Sequence, residues 1–449
     1  MSHLSFAKRQ FGLGAIVAPT IPATLAPPSP GRIAAVVGAS GAGKTRALNA
    51  LAANTGASVC LPLTRQQLAQ PVLSLFPEGM ESPDVLRALA GCGLADATLW
   101  TRPARTLSAG EQRRLELALS LGCRCRGDNF VAPTIQARAA RTVIIDEFDA
   151  HLDSETALCL AASLARIAAA HRLQLIVSTH RPECLGALRA ERVFEIAQGA
   201  ARELSAPPPH DPLDTAAVER GSLADYAPFA RWHYLGPKRP GPVSDVFVAK
   251  LHGRVIAVAT FGPTHLFLSP RNLALPQFSS RAVSSGGARS LNANLRLLQR
   301  VIVEPRYRAL GVASRLLNAA LPQLGVPYVE CLAEMGEFSG FLKRAGFERR
   351  GRCKPSREGA RLIRTLERHG LQAAHLIDPH RRKMALARLG LKDREKFARQ
   401  LRGLCRSRIE TGVGRLRGSR DAPEDLLQRA LLRLHCQPEY FLWSPNETH

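Results

Sequence analysis

The chain has 449 residues, 45% of them hydrophobic, and a formal net charge of +24 at pH 7. That length predicts two or three domains, each large enough for a core of its own, and no apolar run is long enough to span a bilayer, so no membrane is expected. The charge excludes an acidic, solvating chain and calls for a polyanionic partner, nucleic acid first, although the excess of Arg over Lys and the abundance of Ala also fit a GC-rich genome.

The first segment carries Lys8 and Arg9 before FGLGAIVAPTIPATLA; its prolines, and the glycine loop behind it, favour a linker or strand edge over a targeting signal. Up to about residue 204, apolar runs (RIAAVVG, RTVIID, LQLIVSTH) alternate with Ala/Leu-rich helical stretches. That is the pattern of an α/β sheet covered by helices. The ten cysteines form no paired framework, and Cys123 and Cys125 make only a lone CRC; reduced thiols in the cytoplasm are expected. The proline-rich SAPPPHDPLD opens a linker over 205–218. The block 219–352 holds a helical stretch ending in RWHYLG, then two strand-like runs, VFVAKLHGRVIAVATF, around a His252-Gly253 turn. A Ser/Gly-rich loop (284–290), the strand RVIVEP, a helix from Val312 and the strand PYVECLA follow. The extension 353–449 is helical in pattern, and its Arg and Lys outnumber Asp and Glu about two to one. Its last apolar run, EYFLW, is expected to return to an edge of the second sheet.

Two short loops carry the chemistry. In GASGAGKT, Gly38, Gly43, Lys44 and Thr45 fit G-x-x-x-x-G-K-[ST], with Ser40 and Gly41 between them. Glycines at those positions let backbone N–H groups turn inward around a β-phosphate. Lys44 then neutralises the β/γ oxygens and the Thr45 hydroxyl serves Mg²⁺. The strand VIIDE delivers two carboxylates: Asp146 suits the Mg²⁺ and Glu147 suits polarising an attacking water. The second loop is RYRALGVASRLL, where Arg308, Gly311 and Ala313 fit [QR]-x-x-G-x-[GA]. It follows the strand RVIVEP and opens an amphipathic helix at Val312, so its amides suit a pyrophosphate, with Arg306 and Arg308 nearby.

These motifs carry two resemblances. With GASGAGKT and VIIDE, the segments LSAGEQ (107–112), AHLD (150–153) and VSTH make residues 1–204 resemble the ABC-type ATPases. That implies ATP and Mg²⁺, a signature containing Ser108 and Gly110, a D-loop with Asp153, and His180 as the switch histidine acting with Glu147. It also implies Gln66 or Gln67 as the Q-loop residue and Phe11 stacked on adenine. Because that family sandwiches two ATPs between two such domains, a homodimer through them is implied. The second loop, together with FSGFLKRAGF (338–347), resembles the GNAT superfamily of acyl-CoA transferases. The resemblance implies acetyl-CoA or another acyl-CoA bound by Val303, Arg306, Arg308, Gly311, Val312 and Ala313. Leu342 stands where the family often has a tyrosine that protonates the leaving thiolate, which leaves Tyr307, Tyr328 or water for that role. The fold expected is therefore α/β throughout: an ABC-type P-loop ATPase domain, a GNAT-like mixed α/β domain and a basic helical tail.

For the acceptor, a base is needed near the thioester carbonyl, and Glu304 is nearest in sequence, with Glu330 and Glu334 as alternatives. Trp232, His233, Tyr234, Lys238 and Arg239 put aromatic faces beside cations, which suits a base or a phosphate as well as a helix end packed on a sheet. That segment also resembles the Mom-type branch of the superfamily, which modifies adenine in phage DNA. Nucleic acid is the first acceptor considered; the alternatives are a protein or small-molecule amine, or a non-catalytic GNAT-like binding module steered by the ATPase.

Overall fold

A computed structural model describes residues 5–6, 10, 25–122, 125–126, 129–130, 141–197, 200–233, 240–334, 336, 340–406, 424–435 and 437–445. Lys8, Arg9, Phe11, Cys123, Tyr234, Lys238 and Arg239 lie outside the described residues. Six described cysteines (60, 92, 159, 184, 331 and 353) are free thiols. Among the described residues no helix is long and apolar enough to cross a membrane.

The chain forms two mixed α/β layers. The first sheet uses β1 (Ile33–Val37), β2 (Ser58–Val59), β3 (Thr142–Ile145), β4 (Gln174–Ser178), β5 (Arg192–Ala197) and β6 (Ala200–Leu204), in the order β2-β3-β4-β1-β5-β6. All neighbours are parallel except β5 and β6. β1 is a continuous apolar run because both of its faces are covered, as central parallel strands require. Ile33 and Ala35 join a core with Leu115 of α2 (Ala109–Gly122) and Leu160 of α3 (Ser154–His171). Ala34 and Val36 face Ala47, Leu48 and Leu51 of α1 (Lys44–Thr55). Parallel strands end on one side, so β1, β3 and β4 deliver Gly38, Asp146 and Thr179 to one crevice, where open α/β sheets bind ligands.

The second sheet has seven strands: β7 (Ala217–Arg220), β8 (Asp245–Leu251), β9 (Arg254–Gly262), β10 (Leu295–Val303), β11 (Tyr328–Ala333), β12 (Glu348–Arg352) and β13 (Glu439–Trp443). Their order is β12-β13-β11-β10-β9-β8-β7. Only β10 and β11 pair in parallel, and only from Leu295–Leu298 to Tyr328–Cys331. Beyond that the two strands part, while β10 stays paired to β9 as far as Val303. Gln299 bulges out of that ladder, since Arg300 faces Thr260 and Leu298 faces Phe261; such a bulge bends a strand and re-aims its side chains. α4 (Val312–Ala320) packs on the sheet through Leu316 and Leu317.

The tail departs from the expected edge position. Helices α5 (Arg357–Arg368), α6 (Leu391–Arg406) and α7 (Glu424–His435) share a core around Leu362, Phe397 and Leu431. The chain then returns as β13 between β11 and β12, one position in from the edge. Burial of Tyr440, Phe441 and Leu442 explains the apolar run: an inner strand is covered on both faces. Glu439 is matched there by Arg349 at 2.5 Å and Arg352 at 3.2 Å.

Candidate functional site

At the end of β1 the chain turns sharply. Gly38 has φ 146°, and a Cβ there would overlap the carbonyl oxygen of Ile196, so only glycine fits. Gly43, at φ 102°, N-caps α1 with no side-chain hydrogen bond, which leaves the first-turn amides of that helix facing the loop. Ser40 and Gly41 form its exposed tip. Lys44 is only 5% exposed. Its ammonium donates to the Gly38 oxygen at 2.8 Å and the Ala39 oxygen at 3.1 Å, and lies 3.3 Å from Nδ1 of His180.

That contact sets the imidazole tautomer. An ammonium has no acceptor, so Nδ1 must accept and Nε2 must carry the proton, which it presents to Glu147 at 2.9 Å. Lys44, His180 and Glu147 therefore form one hydrogen-bonded chain. Thr45 Oγ1 donates to Asp146 at 2.6 Å, placing the two groups expected to serve Mg²⁺ side by side. Ser178 donates to the other Asp146 oxygen at 2.5 Å and accepts from the Glu147 amide at 2.7 Å. Glu147 itself adopts φ 46°, a left-handed conformation uncommon without glycine. Arg113 of α2 reaches the backbone carbonyls of Asp146 and Glu147. Neither Ser178 nor Arg113 was singled out from the sequence; Arg113 follows LSAGEQ directly, but only the fold brings it under the Asp-Glu pair.

Ser108 and Glu111 form a reciprocal cap at the start of α2, with the Ser108 amide and hydroxyl donating to the carboxylate at 2.8 and 3.0 Å. Gly110 packs so closely on the His151 carbonyl that a Cβ would collide with it. Asp153 N-caps α3, accepting from the Thr156 amide at 2.9 Å. No hydrogen bond joins Ser108, Gly110 or Asp153 to the Gly38–Thr45 loop among the described residues. Gln67 is committed to a cap at Thr64, and Gln66 is exposed.

The second loop repeats the backbone device. Gly311, at φ 87°, N-caps α4 without a side-chain hydrogen bond. It lines a cleft of about 560 Å³ with Asp211, Leu213, Leu310, Val312 and Arg315. Val303 and Val312 are buried in the adjoining core, and Ala313 packs against it.

Its side chains do not gather as the sequence reading expected. Arg306 and Arg308 turn away from the cleft. Arg306 pairs with Glu304 at 2.6 Å and with Glu155 of α3 at 2.9 Å. Arg308 is spent on the carbonyls of Val303, Trp232 and Ala95, and its burial lowers its pKa. The reason is local: the turn Pro305–Tyr307 faces the first domain, whose Glu155 offers a carboxylate that also receives Arg254.

Candidate acids and bases are similarly committed. Arg306 occupies an oxygen of Glu304. Glu330 is wholly buried, bridged to Arg271 at 2.6 and 2.9 Å and accepting from Tyr440 at 3.0 Å. Tyr307 is wholly buried, its hydroxyl bonded to Glu155, and burial then that carboxylate push its pKa up. Tyr328 sits at the paired end of β11, away from where β10 and β11 part. Leu342 is core. His233 is held mainly by burial, then by Arg300 and Arg308, at a pKa lowered to about 4.

No protein-family model matches the chain, and no curated protein does. Among solved structures, one titled RNase-L Inhibitor is similar at 18% identity and TM-score 0.31, over 40% of this chain and 35% of that one. An inward-facing putative metal-chelate-type ABC transporter is similar at 18% identity and TM-score 0.29, over 39% and 72%. An ATP-binding cassette of an ABC transporter in its ADP conformation is similar at 15% identity and TM-score 0.28, over 39% and 80%. The chain thus spans about a third of the first of these proteins, and TM-scores near 0.3 assign nothing to it.

Proposed function

We propose that residues 1–204 form an ABC-type ATPase domain and that the second sheet, whose first strand begins at Ala217 inside the expected 205–218 linker, is a GNAT-type N-acyltransferase domain. The basic helices of 353–449 extend it. On this reading the protein is a cytoplasmic homodimer that binds two cofactors and acts on, or together with, nucleic acid.

One observation carries the ATPase half: Lys44, His180 and Glu147 lie in a single hydrogen-bonded chain beside the Thr45–Asp146 pair, at the N-terminus of a glycine-capped helix. These residues fit ATP with Mg²⁺. The amides after Gly43 and the Lys44 ammonium would hold the phosphates, and Thr45 with Asp146 would hold the cation, which shields charge on the transferred phosphoryl group. Glu147 orients a water and receives its proton, and His180 fixes the carboxylate. Arg113 positions both acidic residues through their carbonyls, and Ser178 does so through the Asp146 carboxylate and the Glu147 amide. Among the described residues, Ser108, Gly110 and Asp153 make no hydrogen bond to the phosphate loop of their own chain, which suits service to the loop of a second copy.

The transferase half rests on the Gly311-capped helix over a cleft, beside the one parallel strand pair of its sheet among the described residues, which parts after Leu298 and Cys331. The amides of Gly311, Val312 and Ala313 fit a pyrophosphate without the two arginines. A second reading, in which this domain binds a ligand without transferring an acyl group, is favoured by the commitment of Glu304 to Arg306 and by Leu342. One experiment separates the readings: the full chain is incubated with ATP, Mg²⁺, DNA or RNA and acetyl-labelled acetyl-CoA. Phosphate release with label in the nucleic acid is the expected result; label in protein moves the acceptor; phosphate release with bound but untransferred acetyl-CoA leaves the binding module.

A further inference from the structure

The two glycine loops are joined by a continuous set of contacts centred on Glu155. On the first-domain side, Arg181 follows His180 directly. Its guanidinium donates to the Leu152 carbonyl and the Ser154 hydroxyl, both at 2.7 Å, and lies 3.4 Å from Asp149. The segment from Glu147 to Asp153 is thus held to the nucleotide crevice at both ends, and it includes His151 at φ 62°. A non-glycine residue in that region stores strain and persists only where its surroundings enforce it.

Glu155 stands in the first turn of α3, where a carboxylate is favoured by the helix dipole. It receives Arg254 through one guanidinium nitrogen at 2.8 Å to each oxygen, Arg306 at 2.9 Å and the Tyr307 hydroxyl. Tyr307 and Arg306 lie four and five residues before Gly311. Eleven residues along α3, Arg166 reaches the carbonyl of Ala309 at 3.5 Å. Between these points Cys159 and Ala162 enter the second domain's core with Leu310 and Val312. One helix therefore touches the second loop near both of its ends. A packed helix moves as a body, which makes α3 the element able to carry a shift at Asp153 to Ala309.

We propose that Glu155 is the joint through which the nucleotide state of the first site sets the conformation of the second glycine loop. It is a positioning residue that acts through Arg306, Tyr307 and α3, and it touches neither cofactor. This extends the ATPase reading and requires nothing of the transferase reading.

The test follows backbone hydrogen exchange in the full chain, with and without the magnesium complex of a non-hydrolysable ATP analogue. Peptides covering 38–45 report nucleotide binding and those covering 304–313 report the second loop. In the wild type both should change on adding nucleotide. In Glu155→Gln, which keeps the shape of the side chain, 38–45 should still be protected while the response at 304–313 falls at least about fivefold, the lower range of allosteric coupling. Arg254→Gln should give an intermediate loss and guards against a folding defect peculiar to the first variant. A protected 38–45 with an unresponsive 304–313 in the wild type overturns the proposal, as does an equal response in wild type and both variants. Absence of protection at 38–45 overturns the ATPase reading and the joint with it.

Discussion

The helix after Gly43 and the helix after Gly311 begin alike and are finished differently. Each starts from a left-handed glycine that leaves first-turn amides free of a side-chain cap. Around Gly43 the side chains converge: Lys44, Thr45, Asp146, Glu147 and His180 meet within hydrogen-bonding distance. Around Gly311 they diverge, because Arg306 and Arg308 serve the contact with the first domain and leave Asp211, Arg315 and the backbone at the cleft. A backbone cradle is thus a shared device, and the charged groups placed around it decide between holding an anion and reacting with it.

The largest test of that contrast is Glu147→Gln. Phosphate release should fall by about 10²–10⁴-fold, the range for loss of a positioned base, while ATP still binds; an unchanged rate removes Glu147 from its role. Gly311→Glu follows. It forces a side chain into a left-handed position that costs about 1–2 kcal/mol and adds a negative charge to the amide cradle. Acetyl-CoA affinity should drop by more than about tenfold on those grounds, with phosphate release unchanged, as read by equilibrium binding and by a coupled assay. Tyr307→Phe removes a hydroxyl from Glu155 without changing packing. Urea denaturation should show a loss of about 1 kcal/mol, since the partner carboxylate is half-buried and keeps Arg254 and Arg306.

The smallest effect concerns pH. His233 is lowered from 6.5 to about 4 in the folded chain. A depressed histidine pKa means that the unfolded chain binds the proton more readily. Its contribution to stability is therefore complete above pH 6.5 and is lost as pH falls toward 4. His233→Gln should flatten that part of the melting-temperature profile. Glu155 is also held below the usual carboxylate range: burial opposes the shift, but Tyr307, Arg254 and Arg306 outweigh it. The joint should weaken only once pH drops through that lowered value, so the two groups act in different pH windows.

The sequence made the first site readable because its parts are contiguous. Gly38 to Thr45 lie within eight residues, and Asp146 and Glu147 end an apolar strand, so local spacing carries the chemistry. The central apolar strands of the two sheets and the Gly311-capped helix were legible for the same reason, through apolar runs and one glycine, whereas Ala217–Arg220, inside the expected linker, was not. Arg113, Ser178 and Glu155 were not. Each acts across a separation that only the fold closes; Glu155 meets Tyr307 across 152 residues. The pair Arg306 and Arg308 was misread because cations beside a glycine loop suit a phosphate and a neighbouring carboxylate equally, and burial rather than spacing selects between them. The inner position of Glu439–Trp443 was hidden likewise, since an apolar five-residue run fits an edge or a centre until its neighbours are known.

Titration calorimetry with acetyl-CoA and with magnesium-bound ATP analogue, each added to the same preparation with and without the other present, tests most directly whether the two cradles hold two different cofactors. One site per chain for each ligand is expected, with Lys44→Ala losing only the nucleotide and Gly311→Glu losing only acetyl-CoA. No heat from acetyl-CoA, or displacement of one ligand by the other, would contradict it.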